Sequence, residues 1–281
     1  MTRTRAARLA VGLSFAALGG CAASSRRLFK AVDAGQPRKV EALLARGAAI
    51  DALNAAGRAP LHEAILIDTA LRRKPEVSRV LIEKGANVNL KDRDGSTPLI
   101  LALAGGSAEI ARLLIEKGAD VNKRDADGRA PLAEAVKNKN SEIARLLLEK
   151  GVDAAIRDKD GMTLLSSALF YGDFASARLL VEKGALLGLN SPDILGTTPL
   201  NKALISGRAE LARLLIEKGA DVNKRDANAV SPLMAAGSQG EDEFVELLVR
   251  KGADATGAGA YLDDREARLA ADAAAAVKAG R

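Results

Sequence analysis

Apolar positions along this chain recur at helical spacing. Ile110, Leu113 and Leu114 stand at i, i+3 and i+4, and Ile143, Leu146 and Leu147 repeat that spacing. The glycine that follows each run, Gly118 or Gly151, is a suitable helix stop. A second kind of helix opens on the dipeptide "PL". Pro60, Pro98, Pro131, Pro199 and Pro232 each sit where proline fits best, in a first helical turn, usually after a Thr or Ser that can cap it. The pattern predicts pairs of short helices. No single pair can bury its apolar face alone, so neighbouring pairs must stack.

The pairs are copies of one another. "ARLLIEKGADVNKRDA" occupies Ala111–Ala126 and recurs letter for letter at Ala212–Ala227. Turns open at Asn54, Asp92, Asp125, Asp158, Asp193 and Asp226, and after Asp92 they are 33, 33, 35 and 33 residues apart. Extra residues between Ile67 and Glu76 are expected to lengthen the loop between two helices, and Ser191 and Pro192 extend one turn.

In phase, "GRAPLHEA", "DGSTPLILA" and "LGTTPLNKA" resemble ankyrin repeats, whose unit is a β-turn plus two antiparallel helices with a T-P-L-H-x-A signature. The resemblance covers Ser25 to Gly257, in seven units, the first lacking its turn. It implies an all-α ankyrin solenoid with β-turn or hairpin connections over residues 21–257. Residues 258–281 are alanine-rich and read as a capping helix, with Leu262, Leu269, Ala273 and Ala276 on one face. Leu164 replaces a signature proline, Ala229 replaces a turn glycine, and the signature histidine survives only as His62. The Thr–His pairing usual at ankyrin helix starts is therefore expected to be largely absent. His62 takes the structural role, in which a lost hydrogen bond costs about 1 kcal/mol.

The first twenty residues differ in kind. A basic start with Arg3, Arg5 and Arg8 is followed by an apolar run from Leu9 to Gly20. That run extends about 18 Å as a helix, too short for a bilayer core of about 30 Å. Residues 1–20 read as a signal peptide. "LGGC" resembles the lipobox of bacterial lipoproteins and holds the only cysteine of the chain. The resemblance implies lipidation of Cys21 after cleavage. Ala22 and Ala23 would favour the outer membrane, facing the periplasm; the alternative is ordinary cleavage to a soluble periplasmic protein. About 14 Å of chain at most separates Cys21 from Ser25, so the array would start against the membrane.

Composition narrows the chemistry. The formal charge of +6 falls to +3 from Cys21 onward, and aromatics are 2% of the chain. Nucleic-acid binding has little support, because few rings are available to stack on bases. One histidine and one cysteine cannot assemble a Ser/His/Asp or Cys/His constellation, or a His/Cys zinc site. The "DxDG" turns at Asp92, Asp125 and Asp158 look like the opening of a calcium loop. Calcium takes about six to eight oxygens, however, and no third aspartate or distal glutamate follows at loop spacing. We read no catalytic residues, no cofactor and no metal.

Residues copied verbatim are those every repeat needs for stacking, so recognition is expected where one repeat departs from its siblings. In the ankyrin family the exposed turns and the ends of first helices line the concave binding face. Phe170 and Tyr171 stand where neighbouring repeats have Ala104 and Gly105, Lys137 and Asn138, or Ile205 and Ser206. The turns change in step, giving Ile194 and Leu195, with Met162 before a first helix. The expected partner surface is an apolar patch of Met162, Phe170, Tyr171, Ile194, Leu195 and Ile205, bordered by Arg129, Lys137 and Lys159. The resulting reading is a membrane-anchored module, an inhibitor, immunity protein or scaffold, for an unknown protein partner. The alternative is a soluble periplasmic factor that stabilises an envelope enzyme without a defined recognition patch.

Overall fold

The computed structural model describes residues 23–158, 160–256, 258–259, 262 and 264–279, with only the backbone of Arg265. Residues 1–20, read above as a signal peptide, and Cys21 and Lys159 lie outside the described residues. The described chain is helical, with one isolated antiparallel bridge, Arg157 to Thr163. It divides into two compact units, Met1–Glu134 and Ala135–Arg281.

The first unit holds α1 (23–33), α2 (Pro37–Ala45), α3 (Pro60–Ala70), α4 (Glu76–Glu83), α5 (Pro98–Ala104) and α6 (Ala108–Glu116). Here α2, α4 and α6 pack in succession, and α3 packs on α5. The unit boundary falls within α7 (Pro131–Lys137). The second unit continues with α8 (Ser141–Glu149), α9 (Leu164–Tyr171), α10 (Phe174–Glu182), α11 (Pro199–Ile205), α12 (Ala209–Glu217), α13 (Pro232–Gly237), α14 (Asp242–Arg250) and α15 (Asp264–Lys278). First helices α9, α11 and α13 pack in succession, as do second helices α8, α10 and α12.

Local chemistry explains where the first helices start. The hydroxyls of Thr97, Thr163, Thr198 and Ser231 accept from backbone N–H groups three residues on, satisfying donors that have no intrahelical partner. Leu164 stands where the other starts have proline, and α9 still begins there because Thr163 caps it. At α3 the cap residue is Ala59, which has no acceptor. His62 Nδ1 instead accepts from the Ala59 N–H at 3.2 Å, while its Nε2–H lies 3.2 Å from the Leu90 carbonyl. This ring is fully buried and neutral, and burial pushes its pKa below 6.5.

The second helices bury a wider stripe than the i, i+3, i+4 pattern indicates. Ile110, Ala111, Leu114 and Ile115 are buried, whereas Leu113 is only half-buried. Ile143, Ala144, Leu147 and Leu148 repeat that stripe. Within the first unit α6 packs on α5 and α4, within the second α10 packs on α9, α8 and α12, and alanine on the inner face permits close approach. Full burial of one such leucine contributes about 2 kcal/mol.

The insertion after Ile67 does not simply lengthen a loop. It extends α3 to 11 residues, where α5 and α11 have 7. The extra turn is held by buried Asp68, whose Oδ2 accepts from the Ser78 hydroxyl at 2.7 Å. Burial raises the Asp68 pKa. Thr69, on the same turn, presses on Gly105: a Cβ there would come within 2.4 Å of Thr69 Cγ2. α15 packs on α14 and buries Glu266, Ala270 and Ala273; Leu262, Leu269 and Ala276 are half-buried.

Candidate interaction surface

Each turn is built around one side chain. Asp125 Oδ1 accepts from the N–H groups of Asp127 and Arg129, while Asp125 N–H donates to the Arg129 carbonyl. Asp92, Asp158, Asp193 and Asp226 repeat this arrangement, and Asn54 Oδ1 accepts the corresponding pair of N–H groups. The "DxDG" carboxylates thus spend an oxygen on backbone donors. Among the described residues no group of three His, Cys, Asp or Glu side chains converges as a metal site would. Because the loop's backbone is satisfied internally, the residues second and third in the turn project outward.

In the sixth repeat those residues are Ile194 and Leu195, which are 60% and 64% exposed. The same repeat exposes Ile205, at the end of α11. Its turn also holds a buried carboxylate oxygen without a partner. The second oxygens of Asp92, Asp125 and Asp158 meet Arg58, Arg129 and Ser167 respectively. Asp193 Oδ2 is buried and has no hydrogen-bond partner. The residue that could have reached it by analogy with Arg58 is Met162, an apolar side chain.

Phe170 and Tyr171 close α9, half-buried, with ring centroids 5.1 Å apart at an interplanar angle of 77°. Lys137 is exposed at the end of α7. Two of the expected surface residues are placed differently. Met162 is buried: it holds the turn position at which Arg58 and Arg129 meet carboxylates, and as an apolar side chain with no such partner it packs inward. Arg129, in the first unit, folds back on its own turn: its Nε lies 2.5 Å from Asp125 Oδ2, so it is not a free border cation.

A groove of about 400 Å³ opens between the starts of α10 and α12. Phe174 and Leu211 line it with Arg178, Arg208 and Glu210. The Arg208 guanidinium lies over the Phe174 ring, 4.4 Å from its centroid. Arg178 bridges Glu182 and Glu210 at 2.8 and 2.6 Å, and Glu182 foremost raises its pKa. This groove lies outside the expected partner surface. Its signal was available: α6, α8 and α12 open with Ala108, Ser141 and Ala209 where α10 opens with Phe174.

The family model described as "Ankyrin repeats (3 copies)" matches residues 28–125, 122–191 and 185–258. The chain belongs to the ankyrin-repeat family. The solved structure of the human ASB11 ankyrin repeat domain is similar at 27% identity and a TM-score of 0.58, over 81% of this chain and 98% of that one. No curated protein matches by sequence. Ankyrin repeats imply a protein–protein interaction module, and the fold is typically a binding scaffold without catalysis.

Within that family pattern the missing histidines are partly replaced. Ser166, at the position equivalent to His62, donates to the Ser191 carbonyl at 2.7 Å, and Asn201 Nδ2 donates to the Val230 carbonyl at 2.8 Å. The Thr–His pairing is absent there as expected, and in two repeats of the second unit other polar side chains tie one repeat to the next.

Proposed function

We propose that this ankyrin-repeat chain is a membrane-anchored binding module of the bacterial envelope, held by acyl chains on Cys21 and facing the periplasm. An inhibitor, immunity protein or scaffold fits this reading. Its partner docks on Ile194, Leu195, Ile205, Phe170 and Tyr171, with Lys137 and Lys159 contributing positive charge. The observation that carries the reading is the exposure of three large apolar side chains on one repeat, whose siblings fill the same turn positions with Arg93 and Asp94 or Ala126 and Asp127. Large exposed apolar side chains grouped on one repeat suit an interaction site, and the half-buried aromatics that close α9 suit an anchoring role. Among the described residues no helix is long and apolar enough to cross a membrane, so anchoring at the envelope rests on the lipid.

Two measurements test it. A fatty-acid analogue fed to cells should label the wild type and leave Cys21→Ser unlabelled; equal labelling of both removes the anchor. Tyr171→Ala and Ile194→Ala should each melt cooperatively yet weaken retention of the co-purifying partner by about 2 kcal/mol or more. Unchanged retention by both folded variants places recognition elsewhere.

A further inference from the structure

The first helix pair has a charge unlike the rest of the chain. Residues 23–47 carry six Lys and Arg (Arg26, Arg27, Lys30, Arg38, Lys39, Arg46) against Asp33 and Glu41, a net charge of +4. Residues 48–281 carry 33 Lys and Arg against 34 Asp and Glu, a net charge of −1. Four of the six cations converge. Arg27 and Lys30 stand one turn apart on α1, and Lys39 and Arg46 stand two turns apart along α2. Between them lies a groove of about 390 Å³ floored by Ala42 and Leu43.

All four are exposed, and among the described residues none forms an ion pair. The nearby acids do not neutralise them: Glu41 pairs with Lys84 at 3.7 Å, and Arg73 adds a further cation by donating to the Asp33 carbonyl. Gathering like charges without counter-charges is unfavourable unless something anionic meets them.

We infer that this groove lies against the phosphates of anionic membrane lipids. The inference rests on the reading that Cys21 is acylated. Two residue steps from Cys21 to the first turn of α1 span at most about 7 Å, less than the Debye length of about 8 Å at physiological ionic strength. Arg27 and Lys30 follow about 6 and 10 Å further along α1 at about 1.5 Å per residue, and their side chains are long enough to reach headgroup level, where guanidinium and ammonium groups donate to phosphate oxygens. The cations set how the first repeat lies on the surface, while the acyl chains supply insertion. Each cation held this close to an anionic surface raises partitioning about fivefold.

The test is flotation of the full chain with vesicles of phosphatidylglycerol or of phosphatidylcholine. The anchor inserts into both, so the ratio of the two reads the groove alone. The wild type should prefer phosphatidylglycerol, and that preference should fall with added salt. Arg27→Gln/Lys30→Gln/Lys39→Gln/Arg46→Gln should lose it, a drop of about 600-fold when the four act independently. A control that removes four exposed cations from the second unit, Lys150→Gln/Lys183→Gln/Lys218→Gln/Lys251→Gln, should keep it; melting curves verify that both variants fold. The inference is overturned if the wild type shows no preference, if the control loses as much as the groove variant, or if inorganic phosphate at matched ionic strength abolishes the preference, which would mark a discrete anion pocket. Failure of fatty-acid labelling with the lipid preference intact removes the anchor and leaves the groove. Labelling without the preference does the reverse.

Discussion

Ala111–Ala126 and Ala212–Ala227 have one sequence in two units, and they fold alike. Ala111 and Ala212, and Leu114 and Leu215, are fully buried, and Ile115 and Ile216 nearly so. Arg124 and Arg225 each donate to a turn carbonyl, of Gly128 and Ala229 respectively. The flanks differ. Upstream, Gly105 corresponds to Ser206; downstream, Gly128 and Arg129 correspond to Ala229 and Val230. The copied residues build a frame that works in either setting. What the flanks change is local stability and the surface the frame presents.

The largest break in that account would come from cutting the ties between repeats. His62→Ala removes a fully buried ring whose two nitrogens both bond, one of them to the Leu90 carbonyl in the connector that leads to the next turn. A loss of about 2 to 3 kcal/mol is expected in chemical denaturation, above the figure for one hydrogen bond, because burial adds a cavity term. The same site gives a pH signature. Because the folded pKa lies below 6.5, the contribution is fully present above that value and is lost as pH falls through it toward the folded pKa. His62→Gln should flatten this acid loss; an unchanged pH profile would contradict the burial argument.

Next in size is the upstream flank. Gly105→Ala should destabilise by about 2 kcal/mol, since the new Cβ would collide with Thr69, whereas Ser206→Ala should be nearly silent. Equal effects at the two sites would mean that the longer α3 does not set the difference.

Within the copied motif, Asn223→Ala is expected to cost about 1 kcal/mol. Its side chain accepts from the Asp254 N–H at 2.7 Å and donates to the Gly252 carbonyl at 3.0 Å, but in an exposed setting. Asn89 makes the equivalent bonds to Asp120 and Gly118, so Asn89→Ala should match it. The smallest effect is at the downstream flank. Ala229 adopts a positive φ of 61°, a conformation that suits glycine. Ala229→Gly should therefore gain up to about 1 kcal/mol, and Gly128→Ala, at φ 77°, should lose a similar amount. Thermal denaturation of the two single variants checks the sign.

These pairs also show what could be read from the sequence. The helix starts at Pro98 and Pro199, the stops at Gly118 and Gly219 and the turn aspartates are local signals, and they placed the helices correctly. The placement of side chains depended on neighbours that lie a repeat away. Of "DTALR", Asp68 to Ala70 continue α3, and Asp68 there finds Ser78; Met162 turns inward at a turn position where Arg58 and Arg129 instead meet carboxylates. Ser166 and Asn201 replace histidines because carbonyls at Ser191 and Val230 are within reach. The apolar turn at Ile194 and Leu195 was legible because turn positions two and three project outward whatever fills them.

The central claim, that the copied segments are frame and the departing repeat is the docking surface, is tested most directly by site-specific photo-cross-linking in cells. A photoreactive residue would replace Ile194 or Leu195 in one set, and Lys117 or Lys218, exposed within the two copies, in the other. The account predicts a discrete protein adduct from positions 194 and 195 and none from 117 and 218. Adducts of equal yield from the copied positions, or none from the turn while the chain remains folded, would contradict it.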